Sequence, residues 1–382
     1  MKAITNAKFI TPDGIITDKA LLFDNTIAGF VDSVDSDTTI IDARGCYVSA
    51  GFIDIHIHGS GGADTMDGTD IALDTIAKSI LPYGTTSYLA TTMTMSQEHI
   101  VNALENIKTY RAKQAQPTLL GVHMEGPFIN PQKTGAQDSR HITQASFELI
   151  DKYHQIIKMI TIAPEVSNNL AFIKELKSRY PHIILSIGHS NATYNETIDS
   201  FECGITHATH MFNAMPPYHH REVGVVGAVF AQDDITCDVI ADTIHTHTST
   251  LDMLYRLKPN SLMLITDAMR AGCMKDGVYD LGGQSVEVKN HKATLQDGTL
   301  AGSVLKLNQA ISNMLRYTTA SICEVVSMVT NLPARKLNLN KGLLEIGYDA
   351  DIVVFDDDID IKLSIIGGDI VYKKEEKSVW DI

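Results

Sequence analysis

Residues 52–58, FIDIHIH, form a short apolar, β-branched run that ends in two histidines. Similar runs recur through the middle of the chain, separated by longer stretches with helical spacing, an alternation typical of parallel βαβ units. The seven further runs are SYLATTM (87–93), LLGVHME (119–125), MITIAPE (159–165), IILSIGH (183–189), ITHATH (205–210), CDVIADTIH (237–245) and LMLITD (262–267). Eight strands are the number that a closed barrel of this type needs, so we predict an α/β fold with a (β/α)8 TIM-type barrel.

The two ends of the chain differ from this middle. Both are rich in short strand-like runs broken by turn residues, and neither has a helical period. We therefore predict a small β-rich domain assembled from residues 1–49 and 346–382, and a barrel domain formed by residues 50–345.

The charge of the chain limits its partners. It carries 31 Lys and Arg against 46 Asp and Glu, a net charge of -15, and no basic cluster. Nucleic acid is therefore not expected as a partner. An anionic small molecule would need a local cationic pocket, and the stretch YHHRE (218–222) either supplies one or forms a solvated loop.

Cysteine usage favours a reducing compartment. The cysteines are odd in number and scattered, without CxxC spacing, at Cys46, Cys203, Cys237, Cys273 and Cys323. No export signal and no run of 18 apolar residues is apparent, so we expect a cytoplasmic protein without a membrane partner.

Residues that can bind metal or move protons stand at the ends of the predicted strands. In such barrels the strand ends converge on one pocket, which is where the active site forms. His56 and His58 share one side of their strand, because side chains alternate with a period of two. This is metal-ligand spacing, although two buried histidines satisfied by hydrogen bonds are the alternative.

Glu125, His189 and His210 end three further runs. A carboxylate at the end of an apolar strand is costly to bury unless a cation neutralises it. Together the three side chains form an N/N/O ligand set that leaves a position open for water. The alternative for Glu125 is a structural carboxylate that caps the next helix. His123 and His207 are predicted to be packed or hydrogen-bonded residues rather than ligands.

Asp267 ends the eighth run, LITD. A carboxylate beside a metal suits a general base that takes a proton from water and later delivers it to the leaving group. A structural aspartate at a helix N-cap is the alternative.

Several longer motifs carry a resemblance to a known family. HMEGPFINPQKTGAQ, GHSNAT, THMFNAMPPYHHREVGVVG, LITDAMRAG and DGTLAGS resemble the N-acetylglucosamine-6-phosphate deacetylases of the amidohydrolase superfamily, over essentially the whole chain. HIHG and DADIVV are typical of the superfamily only. The resemblance implies a (β/α)8 barrel with a small β-sandwich domain built from both chain ends, and a homodimer.

The resemblance also implies roles for individual residues. It makes Glu125, His189 and His210 metal ligands and Asp267 the catalytic acid/base, which acts with a metal-activated hydroxide to release acetate and glucosamine 6-phosphate. The positions that match substrate contacts are Ala136, Gln137, Asn213, Ala214, Arg221, His245, Leu300, Ala301 and Gly302. Among these, Arg221 is expected to reach the phosphorylated sugar in the partner subunit.

The family is divided at two of these positions. Some members lack the HxH pair and hold a single metal. His56 and His58 are both present here, so the resemblance implies the residues for a second metal bridged by Glu125. Some members have histidine where Gln137 stands. We therefore expect one or two divalent ions, and imidazole and carboxylate ligands suit Zn, Fe, Mn, Co and Ni alike.

Three alternatives remain at this point. One is a deacetylase for the epimer N-acetylgalactosamine 6-phosphate. The second is a ring-opening amidohydrolase, which the absence of a lysine at the fourth strand end disfavours. The third is a non-catalytic sugar-phosphate sensor, which would have no need of Asp267 beside an open metal position.

Overall fold

A computed structural model describes residues 1–113 and 118–375. The last part of the predicted terminal domain, residues 376–382, lies outside the described residues. The N-terminal part contains seven short strands: β1 (Lys2–Thr5), β2 (Lys8–Thr11), β3 (Gly14–Ile16), β4 (Ala20–Phe23), β5 (Ile27–Val31), β6 (Thr39–Asp42) and β7 (Tyr47–Ala50).

Alternating strands and helices follow. The strands are β8 (Phe52–Ile57), β9 (Gly59–Ser60), β10 (Ala63–Asp64), β11 (Thr85–Thr92), β12 (Leu119–Glu125), β13 (Ile157–Ile162), β14 (Ile184–Ile187), β15 (Ile205–Ala208), β16 (Thr236–Ile240) and β17 (Leu262–Ile265). The helices are α1 (Asp70–Ile80), α2 (Gln97–Lys113), α3 (Glu148–Tyr153), α4 (Asn169–Arg179), α5 (Tyr194–Cys203), α6 (Gly224–Phe230) and α7 (Thr248–Leu257).

The remaining described elements complete the fold. A three-stranded antiparallel sheet follows the last barrel strand, then three helices, then three C-terminal strands. Their bounds are β18 (Gly277–Leu281), β19 (Gln284–Lys289), β20 (Lys292–Thr294), α8 (Leu307–Tyr317), α9 (Ile322–Ser327), α10 (Asn331–Lys336), β21 (Ile352–Phe355), β22 (Ile361–Ile366) and β23 (Asp369–Lys373).

The barrel consists of β8 and β11 to β17, eight strands that pair in sequence order and in parallel. Main-chain hydrogen bonds bring its two ends together: Asp267 N donates to His56 O (2.9 Å) and His58 N donates to Ala268 O (2.9 Å). Every residue of β8, β11 and β12 is buried, as expected of parallel strands covered on both faces. The predicted (β/α)8 barrel is therefore confirmed.

Local sequence signals explain where several of the covering helices begin. Thr193 accepts a hydrogen bond from Glu196 N (3.4 Å), and the Glu196 carboxylate accepts one from Thr193 N (2.8 Å). Ser321 and Glu324 repeat this capping box at the start of α9. Such reciprocal pairs satisfy amide groups that have no partner inside the helix. Among the described helices, none has both the length and the apolar character needed to cross a membrane.

Both chain ends contribute to one sheet, as predicted. In the six-stranded sheet the order β23-β22-β21-β7-β2-β3 joins C-terminal strands to N-terminal ones, and a four-stranded sheet has the order β5-β4-β1-β6. Side chains from both sheets, among them Phe9, Leu21 and Ile352, form an apolar core separate from that of the barrel. The boundaries 1–49, 50–345 and 346–382 stay a prediction.

A buried ion pair holds the chain where it enters this terminal sheet. Lys341 Nζ lies 2.6 Å from Asp351 Oδ2 and 3.0 Å from Asp349 Oδ2, and the other Asp351 oxygen accepts a hydrogen bond from Gly367 N (2.9 Å). Lys341 and Asp351 are only 8% and 3% exposed. Removal of the Lys341 charge would leave the Asp351 carboxylate buried without a cationic partner.

We predict that Lys341→Ala lowers the free energy of unfolding by about 3–5 kcal/mol, because breaking a buried ion pair leaves an uncompensated charge. Urea unfolding followed by circular dichroism measures this. The matched control is Lys19→Ala, whose partner Asp32 is exposed and whose loss should cost at most about 1 kcal/mol. Equal shifts of the urea midpoint in the two variants would contradict the prediction.

Candidate metal centre and active site

Three of the predicted site residues share one backbone arrangement. Each of these residues lies two positions after the end of a barrel strand: His189 after β14, His210 after β15 and Asp267 after β17. All three have left-handed backbone conformations, with φ of 47°, 32° and 48°. This conformation is unfavourable for residues with a Cβ atom, and such strain concentrates at functional sites. The chain thus turns sharply at the barrel mouth where these side chains are required.

The first group of potential metal ligands is Glu125, His189 and His210. Glu125 Oε1 lies 3.1 Å from His189 Nε2 and 2.9 Å from His210 Nε2, and the two imidazole nitrogens are 3.2 Å apart. The three residues are at most 5% exposed. The structure therefore brings the predicted N/N/O set together.

The second group contains His56, His58 and the same glutamate. The two Nε2 atoms are 3.3 Å apart. His58 Nε2 lies 3.2 Å from Glu125 Oε2, whereas His56 Nε2 lies 3.5 Å from Oε1. Glu125 thus stands between the two groups, in the position that a bridging carboxylate would need.

Asp267 completes the cluster. Its Oδ1 lies 3.2 Å from His58 Nε2 and 3.4 Å from His56 Nε2. Asp267 is also more exposed than the residues beneath it, at 9%. It therefore lies beside both histidines and still faces the cavity.

The hydrogen bonds of the Nδ1 atoms, on the side of each ring away from Glu125, show how His189 and His58 are oriented for a cation. His189 Nδ1 lies 2.8 Å from Lys133 O, and His58 Nδ1 lies 3.3 Å from Thr91 O. Because a carbonyl oxygen can only accept, each Nδ1 carries a proton, and the Nε2 atom of each ring faces the Glu125 carboxylate. Imidazole nitrogens and carboxylate oxygens that converge in this way are the ligand atoms that divalent metals bind, so these residues fit such an ion.

The carboxylates are held in their ionised forms. Burial opposes ionisation of Glu125, but the imidazoles of His56 and His189 outweigh it and keep the pKa of that carboxyl well below its usual range. Burial likewise opposes ionisation of Asp267, and His56 and His58 lower its pKa. Ionised carboxylates close together at neutral pH suit both metal binding and proton acceptance.

The histidines predicted not to be ligands are hydrogen-bonded beneath the site. His123 Nε2 lies 2.7 Å from Thr161 Oγ1, and its Nδ1 lies 3.1 Å from Ile55 O. His207 contacts Thr236 Oγ1 (2.7 Å) and Asp238 Oδ2 (2.9 Å). Both rings are completely buried and hydrogen-bonded, as expected. That they are not ligands stays a prediction.

Two buried aspartates that sequence reasoning missed support the ligands from below. Asp238 accepts a hydrogen bond from the backbone N–H of His210. Asp54 accepts hydrogen bonds from His56 N (3.2 Å) and Thr266 Oγ1 (2.6 Å), and burial raises its pKa to about 7. The available signal was an acidic residue inside an otherwise apolar strand, which is unfavourable unless the carboxylate has partners.

A cavity of about 220 Å³ opens above the cluster. His58, Glu125, His189, His210 and Asp267 form its floor. The predicted substrate-contact residues that line it are Ala136, Gln137, Asn213, Ala214, His245, Leu300 and Gly302. Four lining residues were not predicted: Met93, Gly135, Leu281 and Thr299.

The structure places three of the predicted substrate-contact residues, Gln137, Ala301 and Arg221, in positions that the sequence did not indicate. The Gln137 side chain donates to Glu125 Oε2 (2.6 Å) and accepts from Thr94 N (2.7 Å), so it holds the glutamate as well as lining the cavity. Ala301 is absent from the lining residues, and its methyl group packs in the barrel core. Arg221 also lies outside the cavity of its own chain, on an exposed loop where its Nη1 contacts His220 Nε2 (2.7 Å).

A closed parallel barrel with imidazole and carboxylate side chains at the carboxyl ends of its strands is an arrangement that suits a metal-dependent hydrolase. The model of the Amidohydrolase family matches residues 47–377. The chain belongs to this family and is a metal-dependent amidohydrolase.

Individual relatives make the resemblance more specific. The chain is 41% identical over 337 residues to the N-acetylglucosamine-6-phosphate deacetylase of Bacillus subtilis (strain 168), with 85% of each chain covered. The crystal structure of the Pasteurella multocida N-acetylglucosamine-6-phosphate deacetylase is similar with a TM-score of 0.92 at 29% identity, over 97% of this chain and 99% of that one. A mutant Mycobacterium smegmatis deacetylase in complex with N-acetyl-D-glucosamine-6-phosphate has a TM-score of 0.90 at 26% identity, over 97% and 99%. The resemblance to these deacetylases is confirmed.

We predict that His210→Asn weakens metal binding by about 100-fold or more, because it removes a ligand atom. Loss of a residue that only hydrogen-bonds to a ligand usually weakens binding by about 10- to 100-fold. Metal per chain, measured by mass spectrometry after dialysis against a graded chelator, tests this. The control is His182→Asn, a change at an exposed histidine whose Nε2 contacts His154 O (2.9 Å) and which lies in neither ligand group. If both variants retained the same amount of metal, His210 would not be a ligand.

Proposed function

We propose that this chain hydrolyses the acetamide of N-acetyl-D-glucosamine 6-phosphate to acetate and D-glucosamine 6-phosphate. The observation that carries the proposal is the ionised Asp267 carboxylate, which faces the cavity beside two groups of metal ligands that share Glu125. The names of the Bacillus and Pasteurella relatives, and the ligand of the Mycobacterium complex, support this choice of substrate.

Glu125, His189 and His210 would hold one divalent metal, and His56 and His58 would hold a second together with Glu125. Such a metal polarises a carbonyl oxygen and lowers the pKa of water toward neutrality. Zn, Fe, Mn, Co and Ni all suit these ligands. His189 and His58 are kept in one tautomer by the carbonyl groups of Lys133 and Thr91, which prepares their Nε2 atoms for binding.

Asp267 moves the proton that the reaction transfers. As the oxygen of water bonds to the acetyl carbonyl carbon, Asp267 accepts the proton that the water loses. The bond between the carbonyl carbon and the sugar nitrogen then breaks, and Asp267 gives the same proton to the departing amine. One carboxylate therefore serves as base and then as acid. The second proton of the water stays on the new carboxyl group and then passes to the amine or to solvent, so the products are acetate and the protonated amino sugar.

The phosphate requires cationic partners in a chain of net charge -15. His245 lines the cavity, and its Nδ1 lies 2.7 Å from Asp242 Oδ2, which leaves Nε2 to face a ligand. Arg221 lies outside this cavity on an exposed loop. We therefore propose a homodimer in which Arg221 reaches the phosphate in the partner's site. The other proposed contacts are Ala136, Gln137, Asn213, Ala214 and the segment Leu300, Ala301 and Gly302.

Two further assignments accompany this function. We propose a terminal domain formed by residues 1–49 and 346–382 beside a catalytic barrel of residues 50–345, and a cytoplasmic location, where a phosphorylated sugar would be available. The galactosamine epimer differs from the proposed substrate in one hydroxyl orientation. Measuring kcat/KM for both epimers tests the preference, and a higher value for the galactosamine compound would replace the proposed substrate.

The purified, metal-loaded chain should release acetate from N-acetylglucosamine 6-phosphate, and a chelator should abolish the release. Asp267→Asn should reduce kcat by about 10²- to 10⁴-fold, because the proton acceptor is lost. Metal content of the same sample is the control, and it should stay close to that of the unchanged chain. Near-normal turnover in this variant would remove Asp267 from the proposed role.

Arg221→Ala should raise KM for the phosphorylated sugar by about ten- to a hundred-fold, the effect of losing a hydrogen bond to a charged group. KM for unphosphorylated N-acetylglucosamine should change little. Equal effects on the two sugars would contradict the phosphate contact.

Mixing the two variants tests whether Arg221 acts across the dimer. A mixed dimer of Arg221→Ala and Asp267→Asn chains contains one site with an intact Asp267 and an intact arginine from its partner. Activity at low substrate concentration should therefore rise above the sum of the separate variants. If activity did not rise in a sample with verified mixed dimers, Arg221 would act in the active site of its own chain and not in that of its partner.

A further inference from the structure

The tip of a hairpin outside the barrel forms part of the cavity wall. Leu281 is the last residue of β18, in the three-stranded sheet that follows the eighth barrel strand. Its side chain lines the cavity and is only 1% exposed, although the next two residues are in a turn. An apolar side chain is therefore held against the active site by an element that contributes no metal ligand.

Contacts on both sides fix this tip. Gln284 Nε2, just after the turn, donates to Ala136 O (2.6 Å), and Arg270 Nε donates to Asp280 O (2.8 Å). A Cβ atom on Gly282, which has φ of 60°, would lie 3.4 Å from Met93 Cε. The hairpin tip is thus packed against the residue that follows the second barrel strand.

Met93 brings apolar surface close to the reacting groups. It is 2% exposed and lines the cavity. Its Sδ lies 3.7 Å from Gln137 Nε2, and the same nitrogen donates to Glu125 Oε2 (2.6 Å). Only one side chain therefore separates Met93 from the carboxylate shared by the two ligand groups.

The chemistry of the substrate determines what this wall contacts. Hydrolysis requires the acetyl carbonyl carbon to lie beside Glu125 and Asp267, and the methyl group is bonded directly to that carbon. The imidazoles and carboxylates of the cavity floor are polar, whereas Met93 and Leu281 are large and apolar. Burial of a methyl group is favourable against apolar side chains and unfavourable against charged ones.

We propose that Met93 and Leu281 form an acyl wall that contacts the methyl group of the acetyl substituent and excludes longer acyl groups. The acyl wall rests on the proposed deacetylation, because it assumes the position of the scissile carbonyl. It makes these two residues determinants of acyl specificity, separate from the residues that bind the sugar and the phosphate.

The test uses N-formyl, N-acetyl and N-propionyl derivatives of glucosamine 6-phosphate, with release of glucosamine 6-phosphate as the common readout. Leu281→Ala and Met93→Ala should each raise the ratio of kcat/KM for propionyl over acetyl by about ten-fold or more, the discrimination typical of one methylene in an apolar pocket. Leu281→Phe should shift the ratio toward formyl, and this variant keeps the tip apolar.

The matched control is Val286→Ala, in β19 of the same sheet. Val286 is fully buried but does not line the cavity, so its truncation loosens the hairpin without enlarging the wall. A propionyl-to-acetyl ratio that rises equally in this control, or that stays unchanged in both alanine variants, would overturn the acyl wall. Failure of the unchanged chain to hydrolyse any of the derivatives would instead overturn the proposed function.

Discussion

Closure of the barrel is the constraint on which the active site depends. The hydrogen bonds that join residues 56–58 to residues 267–268 complete the ring of strands, and the same short segments carry His56, His58 and Asp267. Residues more than 200 positions apart in the sequence are therefore held within 3.4 Å because the backbone between them is paired. Any change that opened this seam would separate the proposed proton carrier from the imidazoles beside it.

The same seam explains the buried carboxylate below it. Asp54 accepts hydrogen bonds from the first strand and from Thr266 at the end of the last one. A carboxylate in an apolar barrel is unfavourable unless it has such partners. Asp238 has the corresponding position under His210, where it links that backbone to His207. The polar residues inside the barrel thus form a supporting layer beneath the ligands.

Much of this arrangement could be predicted from the sequence, because strand periodicity places alternate residues on one side and parallel strands end at one rim. That logic identified all eight strands and brought Glu125, His189 and His210 together. It could not indicate the left-handed backbone at His189, His210 and Asp267, which depends on tertiary contacts. It also missed Met93 and Leu281, since an apolar residue in a loop or hairpin carries no chemical signal by itself.

The location of Leu281 has a consequence for how such an enzyme could diversify. Because the hairpin of β18 and β19 is an insertion between the last barrel strand and α8, it can change in length or composition without altering any strand that carries a ligand. Selection could therefore change which acyl group the enzyme removes, while the metal ligands and Asp267 stayed the same. In this fold the barrel strands carry the residues that hydrolyse the amide, whereas the β18–β19 hairpin, which carries no ligand, can change the range of substrates.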